Sequence, residues 1–300
     1  MPSSEKPEPG KRRNKMSSAL SSLDVPGFLG TPRPAADHTP RSTHGSALQR
    51  FLAKSEQMGV TYVVCAPADV AAFARGIRSF PERIVSQDEH AFWLSLYREF
   101  RADDYRRRNV RQESLRQPGC DRGSWIVLAV KDNVVIGANT ARIFCGEILP
   151  EYLCDLDLIE PASFEVRTDY RIAIAQAATR CRAEELCFCE LSHWAVAPQW
   201  RRTPVGPSLV LMLGALTTFF VPHLGIAVAN CDSGAFDMLV RMGARPMRRG
   251  GQPLPPFFHP AYGARLGLLE CVTAEFIPPY RIGLDDRDAA RAAMLIYSAG

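Results

Sequence analysis

The sequence predicts a mixed fold of α/β or α+β class: a mixed, mostly antiparallel central sheet flanked by helices. Three observations carry this. Residues 124–130, the turn Lys131-Asp-Asn133 and residues 134–139 read as strand, turn and strand. Further on, residues 187–196, an uncharged apolar run and residues 225–229 read as a strand–helix–strand unit, which makes a sheet mixed. Finally, 300 residues with 46% hydrophobic and 23% charged content suffice for a sizeable core.

Taken in order, residues 1–46 hold seven prolines and eight serines and few aromatics, so a disordered tail is expected there and one domain over 47–300. Structure is expected to begin near Leu48, and Thr61-Tyr-Val-Val-Cys65 reads as a strand. Pro67 suits the first position of a helix over 68–80. Ser86-Gln-Asp-Glu89 is a capping box, and behind it Trp93, Leu96, Tyr97 and Phe100 fall at helical spacing. A short helix or irregular stretch follows around 145–161, and Asp169 is expected to cap a helix running to Glu185. Thr203 to Cys231 carries no charge; Pro222-His223 divides it into a helix-length piece, 208–221, and a strand-length piece, 224–229. Gly206, Pro207 and Gly214 interrupt the run, and no basic cluster follows it, so a buried helix rather than an integral membrane span is expected. Asp232 or Ser233 is expected to cap a helix that stops at Gly243; residues 266–276 form a late strand, and Asp285-Asp286 open a final helix.

Charge excludes some functions. The net charge is +4, and the tail, with seven Lys/Arg against four Asp/Glu, holds most of it. The folded part is near neutral, which disfavours nucleic acid. Nine cysteines at irregular spacing suggest reduced, buried thiols. With a first segment lacking the features of a signal peptide, this leads to the expectation of a cytoplasmic protein. Cys187-x-Cys189 with Cys181 lacks a second pair at zinc spacing, so no metal is expected.

The informative stretch is Glu190-Leu-Ser-His-Trp-Ala-Val196 followed by Arg201-Arg-Thr-Pro-Val-Gly-Pro-Ser208. A strand ends, two arginines follow, and a Gly/Pro turn opens an apolar helix whose free N–H groups and dipole favour an anion. Arg201 and Arg202 add charge; Thr203, Val205, Gly206 and Ser208 offer backbone donors for one phosphate. On a regular strand Glu190, Ser192, Trp194 and Val196 share one face and His193 takes the other. Burial would raise the pKa of Glu190 toward that of a useful base, unless an arginine pairs with it. His193 is a second candidate base, or orients Glu190.

Arg201-Arg-Thr-Pro-Val-Gly206 resembles the acyl-donor motif of the GNAT acyltransferase superfamily, with Pro204 in place of a glycine. Val130-Lys-Asp-Asn-Val-Val-Ile-Gly137 and Asn230-Cys-Asp-Ser-Gly-Ala235 resemble that superfamily's entry hairpin and second half, in the right order. Glu190-Leu-Ser-His-Trp-Ala-Val196 is similar to the Glu-Leu-Ser-Arg-Phe-Ala-Val signature of acyl-homoserine-lactone and N-acyl amino acid synthases, with His193 in place of Arg. Residues 255–263 look more like the latter. The resemblance implies N-acyl transfer from a thioester to an amine such as an amino acid. Glu190, Ser192 and His193 would be the catalytic group. Trp194, Val196, Arg201, Arg202, Thr203, Val205, Gly206, Ser208 and Asn230 would hold the donor. No permanent cofactor is implied: the thioester is a co-substrate, borne by acyl carrier protein or by coenzyme A. Pro204 and Pro207 remove N–H donors that a diphosphate would use, which favours the carrier protein as donor and partner. The tyrosine acid the superfamily uses four residues before Gly243 is here Leu239, so the thiolate would leave unaided. A catalytically inactive GNAT-like binding module and a membrane-associated protein are the alternatives from other classes.

Overall fold

The computed structural model describes residues 46–67, 87–110, 123–144, 158–218, 223–272, 280 and 284–297. The expected tail, but for Ser46, and the expected helix at 68–80 lie outside these residues, as do Ser86 of the capping box and residues 145–157. The described residues belong to one unit, Ser42–Gly300. Its elements are α1 (Ala47–Gln57), β1 (Thr61–Cys65), α2 (Gln87–Arg107), β2 (Trp125–Lys131), β3 (Val134–Phe144), α3 (Phe164–Ala183), β4 (Cys187–Val196), α4 (Val205–Thr218), β5 (His223–Asn230) and α5 (Ala235–Met242). The short strands β6 (Arg245–Pro246), β7 (Arg248–Arg249), β8 (Gln252–Pro253) and β9 (Phe257–His259) follow, then β10 (Ala264–Cys271), α6 (Leu284–Ala293) and β11 (Met294–Tyr297).

Nine strands form one sheet in the order β11-β1-β2-β3-β4-β5-β10-β6, with β9 paired to β10. The fold is mixed and mostly antiparallel: β4–β5 and β1–β11 are the parallel pairs, and the other ladders run antiparallel. The order of hairpin, β4, α4, β5 and α5 is the one the resemblance implies. One face of the sheet packs on α1, α4, α5 and α6, the other on α2 and α3. Helix α4 is apolar all round because it is surrounded: Leu209, Met212, Leu213 and Leu216 are all buried. This accounts for the uncharged run. Among the described residues no helix is long and apolar enough to cross a membrane.

Several boundaries move, for local reasons. Helix α1 begins on a capping box in which Ser46 Oγ accepts from the Gln49 N–H and the Gln49 side chain accepts from the Ser46 N–H. Helix α3 starts at Phe164 after Ser163, ahead of the expected Asp169, so Asp169 sits inside the helix. Helix α4 starts at Val205, which places Pro207 in its first turn, where a missing N–H costs no helical bond. Neither Asp232 nor Ser233 caps α5. Their N–H groups go to Asn230 Oδ1, and the cap is Gly234 at φ 77°. Gly243 ends the helix as expected, at φ 119°. Cys65, Cys181, Cys189 and Cys271 are buried free thiols, whereas Cys187 is disulfide-bonded. That corrects the expectation of reduced thiols throughout, because pairing depends on Cβ separations that spacing along the chain does not report. Burial pushes the Cys65 and Cys271 thiols up to about 12, so they act as small apolar groups.

Gly225 marks where β5 lies hard against β10: a Cβ there would stand 2.9 Å from the Cys271 carbonyl oxygen. Because the clash is with backbone in a central strand, Gly225→Ala should destabilise the protein by about 1–3 kcal/mol. At Gly206 an added Cβ meets nothing nearer than 3.5 Å, so Gly206→Ala should cost little stability. Urea unfolding of the two variants checks the contrast.

Candidate active site

The parallel ladder between β4 and β5 runs from Cys187↔His223 to Leu191↔Ala227 and then stops. Beyond it, residues 192–196 of β4 no longer pair with β5.

The cause lies on the other side of β4. Against β3 the register is Thr140↔Ser192 and then Ala138↔Ala195, so His193 and Trp194 together oppose the single residue Asn139. This is a β-bulge, and His193 occupies its left-handed position at φ 52°. A bulge inverts the facing of everything beyond it. Glu190 and Ser192 share a face, as expected; Trp194 and Val196 do not join them and pack toward α4. His193, expected opposite, turns onto the α2 side, where its ring meets Tyr97 and Tyr105.

A cavity of about 1140 Å³ fills the opened space. Ser192, His193, Trp194 and Val196 line it, and so do Arg201, Arg202, Thr203, Gly206 and Asn230. Glu190, Val205 and Ser208 are absent from its lining. Glu190 is fully buried, and Arg142 Nη1 stands 3.3 Å from its Oε2. Val205 is buried in the core against the sheet. The Ser208 hydroxyl lies 3.5 Å from that of Ser55, which accepts from Tyr62 at 2.9 Å, a buried polar link between α1, β1 and α4.

The start of α4 offers fewer donors than the sequence suggests. The Val205 N–H is bonded to Thr203 Oγ1 at 3.3 Å, and the Ser208 N–H to the Pro204 carbonyl at 2.9 Å. Pro207 has none, which leaves Gly206 among the first four. Trp194 Nε1 donates to the Gly206 carbonyl at 3.2 Å, tying the bulge to the helix. Arg201 Nε donates to the Val196 carbonyl, and its Nη2 stands 3.9 Å from Asp104 Oδ1. Asn230 is occupied by its own turn, and the Ser192 hydroxyl lies 2.9 Å from that of Thr140.

On the α2 side the cavity wall holds Asp104, Tyr105 and Tyr262, which the sequence reading did not single out, together with Arg108 of the Arg106-Arg-Arg108 run, read from sequence as a solvated helix end or a dock for an acidic carrier protein. Asp104 is buried and pairs with Arg108 Nε at 2.8 Å. The Tyr105 hydroxyl lies 2.8 Å from His193 Nδ1 and 3.2 Å from Nε2. Burial, then the Arg101 guanidinium, pushes His193 down to about 3, so its ring is neutral at ordinary pH. Burial, with Tyr262 and Tyr97 beside it, holds the Tyr105 phenol well above its usual range. Tyr105 could have been found by continuing the α2 stripe, since it follows Tyr97 and Arg101 at intervals of four. Tyr262 carries no such signal. Among the described residues no three His, Cys, Asp or Glu gather as a metal site requires.

No family model and no curated protein matches the sequence. Solved structures similar to it include FeeM, an N-acyl amino acid synthase from uncultured soil microbes, at 11% identity over 75% of this chain and 98% of that one, with a TM-score of 0.40. BjaI, a CoA-dependent acyl-homoserine lactone synthase, is 11% identical over 79% of this chain and 93% of that one, with a TM-score of 0.38. NAA60 of Arabidopsis thaliana, in complex with a bisubstrate analogue, is 12% identical over 71% and 97%, with a TM-score of 0.34.

The state of His193 is measurable through stability. Unfolded, its imidazole binds a proton below the ordinary 6.5; folded, only below about 3. Between these values the unfolded chain binds more protons, so this group makes stability fall as pH drops through that window. The unfolding free energy of the wild type minus that of His193→Gln should be flat above pH 6.5 and should decline toward pH 3. Urea titrations across pH check it; a flat difference would mean an imidazole that charges freely in the fold.

Proposed function

We propose that this protein is an N-acyltransferase that moves an acyl group from a thioester to an amine. The observation that carries the reading is the splay of β4 from β5, with the cavity between them and the start of α4 at its mouth. An extended thioester arm needs an unpaired strand edge for its amide groups and a helix N-terminus for its phosphate. Residues 192–196, no longer laddered to β5, and Gly206 stand together in that region. In this reading backbone N–H groups of Trp194–Val196 polarise the thioester carbonyl. Val210, Leu213, Gly214 and Thr217 line the cavity along one face of α4. From Gly206 to Thr217 that face extends roughly 16 Å, enough for a medium or long acyl chain.

In this reading the donor is acyl carrier protein. A diphosphate wants several consecutive N–H donors, and of the first four in α4 only Gly206 is left. One phosphate on a pantetheine arm asks for less. Arg108, Arg201 and Arg202 rim the cavity, where an acidic carrier surface would meet them. With one acyl chain on both donors, the carrier thioester should turn over faster than the coenzyme A thioester, and added salt should slow it more. Equal or better use of coenzyme A would overturn the donor assignment. Absence of thiol release from any donor by folded protein would overturn the reaction and leave a binding module.

His193 and Ser192 stand on the cavity wall where the amine would lie, His193 as a neutral ring that can hydrogen-bond it. Glu190 lies behind that wall, paired with Arg142, and serves the sheet. Glu190→Gln should therefore lower stability by about 3–5 kcal/mol, as breaking a buried ion pair does. Its turnover per folded molecule should stay near wild type. Were Glu190 the base, turnover would instead fall about 10²–10⁴-fold in a variant that still folds.

A further inference from the structure

Three charged side chains from two parts of the chain meet at the cavity where α2 ends. Asp104 lies in the last turn of α2, Arg108 follows that helix, and Arg201 belongs to the loop between β4 and α4. All three line the cavity. Arg108 Nε stands 2.8 Å from Asp104 Oδ2, and Arg201 Nη2 stands 3.9 Å from Oδ1. The Asp104 side chain is sealed at 4% exposure, whereas those of Arg108 and Arg201 are 30% and 51% exposed. A structural ion pair needs one cation for one buried anion. Here two guanidiniums share one carboxylate, and the surplus charge stands on the open side. Lys54 and Arg202 line the same cavity. Its other acidic lining residue among those described, Asp232, is bonded by Arg265 through two guanidinium N–H groups.

Charge draws this cluster together without saturating its hydrogen bonds. The Asp104 Oδ1 and Arg108 Nε atoms are buried, and neither has a hydrogen-bond partner. Buried polar atoms of this kind call for an explanation, and a ligand in the adjoining cavity supplies one. Arg201 is fixed from behind, since its Nε donates to the Val196 carbonyl at 3.3 Å. Val196 in turn lies beside the start of α4, where a Cβ on Gly206 would stand 3.7 Å from Val196 Cγ2. The Arg201 guanidinium therefore joins the wall built by α2 to the start of α4. Resting on the acyl-transfer reading above, we propose that Asp104 is a positioning residue: it draws Arg108 and Arg201 together as a clamp for one phosphate ester, that of the pantetheine arm, beside the Gly206 N–H. Two planar forks approaching from different elements hold a phosphate by geometry as well as by charge, which a lone loop arginine does not. The phosphate site then includes α2, and Lys54 and Arg202 remain for the acidic carrier surface.

Phosphopantetheine and pantetheine differ by that phosphate alone, and isothermal titration calorimetry of the full-length protein compares them without turnover. The wild type should prefer the phosphorylated arm roughly 10- to 100-fold, the range expected of hydrogen bonds to a charged group. Asp104→Asn and Arg108→Gln should each cut the preference to within about threefold, and Asp104→Glu should restore part of it. Asp104→Asn separates two effects by their sign: removing a negative charge tightens phosphate binding through the field alone, whereas loss of positioning weakens it. In turnover, Asp104→Asn should raise the KM for the thioester roughly tenfold and leave kcat within about twofold of wild type. Arg108→Gln, at a partly exposed position, carries the test if Asp104→Asn does not fold. A wild type indifferent to the phosphate, a preference unmoved by Arg108→Gln, or an Asp104→Asn protein that binds phosphopantetheine as tightly as wild type or more tightly overturns the proposal. Inorganic phosphate that competes as well as phosphopantetheine overturns the assignment to the arm. Should the wild type release no thiol from any donor, the reaction fails separately, and the binding comparison still decides the clamp.

Discussion

The site depends on one extra residue in β4. Two residues opposite one at His193–Trp194 bend the strand, and the ladder to β5 ends two residues earlier, at Leu191. A regular strand would carry the ladder on and close the cavity. The bulge survives because three contacts hold it: Trp194 bonded to the first turn of α4, Thr140 bonded to the Ser192 carbonyl at 2.9 Å, and the His193 ring seated under α2. Each belongs to a different element. The opening is thus held by packing on both faces of the sheet at once.

Glu190 and His193, three positions apart on β4, sit in different surroundings. Glu190 is buried in a central strand and meets the Arg142 guanidinium there, where an unpaired carboxylate would be costly. Burial, with the Arg101 guanidinium nearby, keeps the His193 ring neutral. Two residues separate them in sequence, yet one faces a guanidinium in the core and the other a cavity. The same division runs through the start of α4. Ser208 turns inward to Ser55, whereas Gly206 is left at the cavity.

Much of the fold was legible from local signals. The strand at 187–196 coincides with its predicted bounds; the first hairpin strand shifts by one residue to 125–131, and the second extends from 139 to 144. The two-residue turn and the alternation of β-branched residues report such elements directly. The α4 run was legible as buried because nothing charged interrupts it. Helix starts were less so: Ser163 and Gly234 stand at the cap positions in place of the expected Asp169 and Asp232 or Ser233, since several capping residues lie near one another and packing chooses among them.

By itself the sequence determined the class of fold, the order of its elements, and the stretch around residues 190–208 that lies at the cavity. Those are properties of neighbours along the chain. Only the tertiary structure decided which side chains reach the cavity. The bulge reverses side-chain facing, which periodicity cannot report; Asn230 and Ser208 lose their donors or acceptors to local partners; and Glu190 finds Arg142 across the β3–β4 ladder. Tyr105 meets His193 across 88 residues of chain. Such a contact exists only when a helix packs on a sheet, because its energy comes from burying surface that neither segment could bury alone.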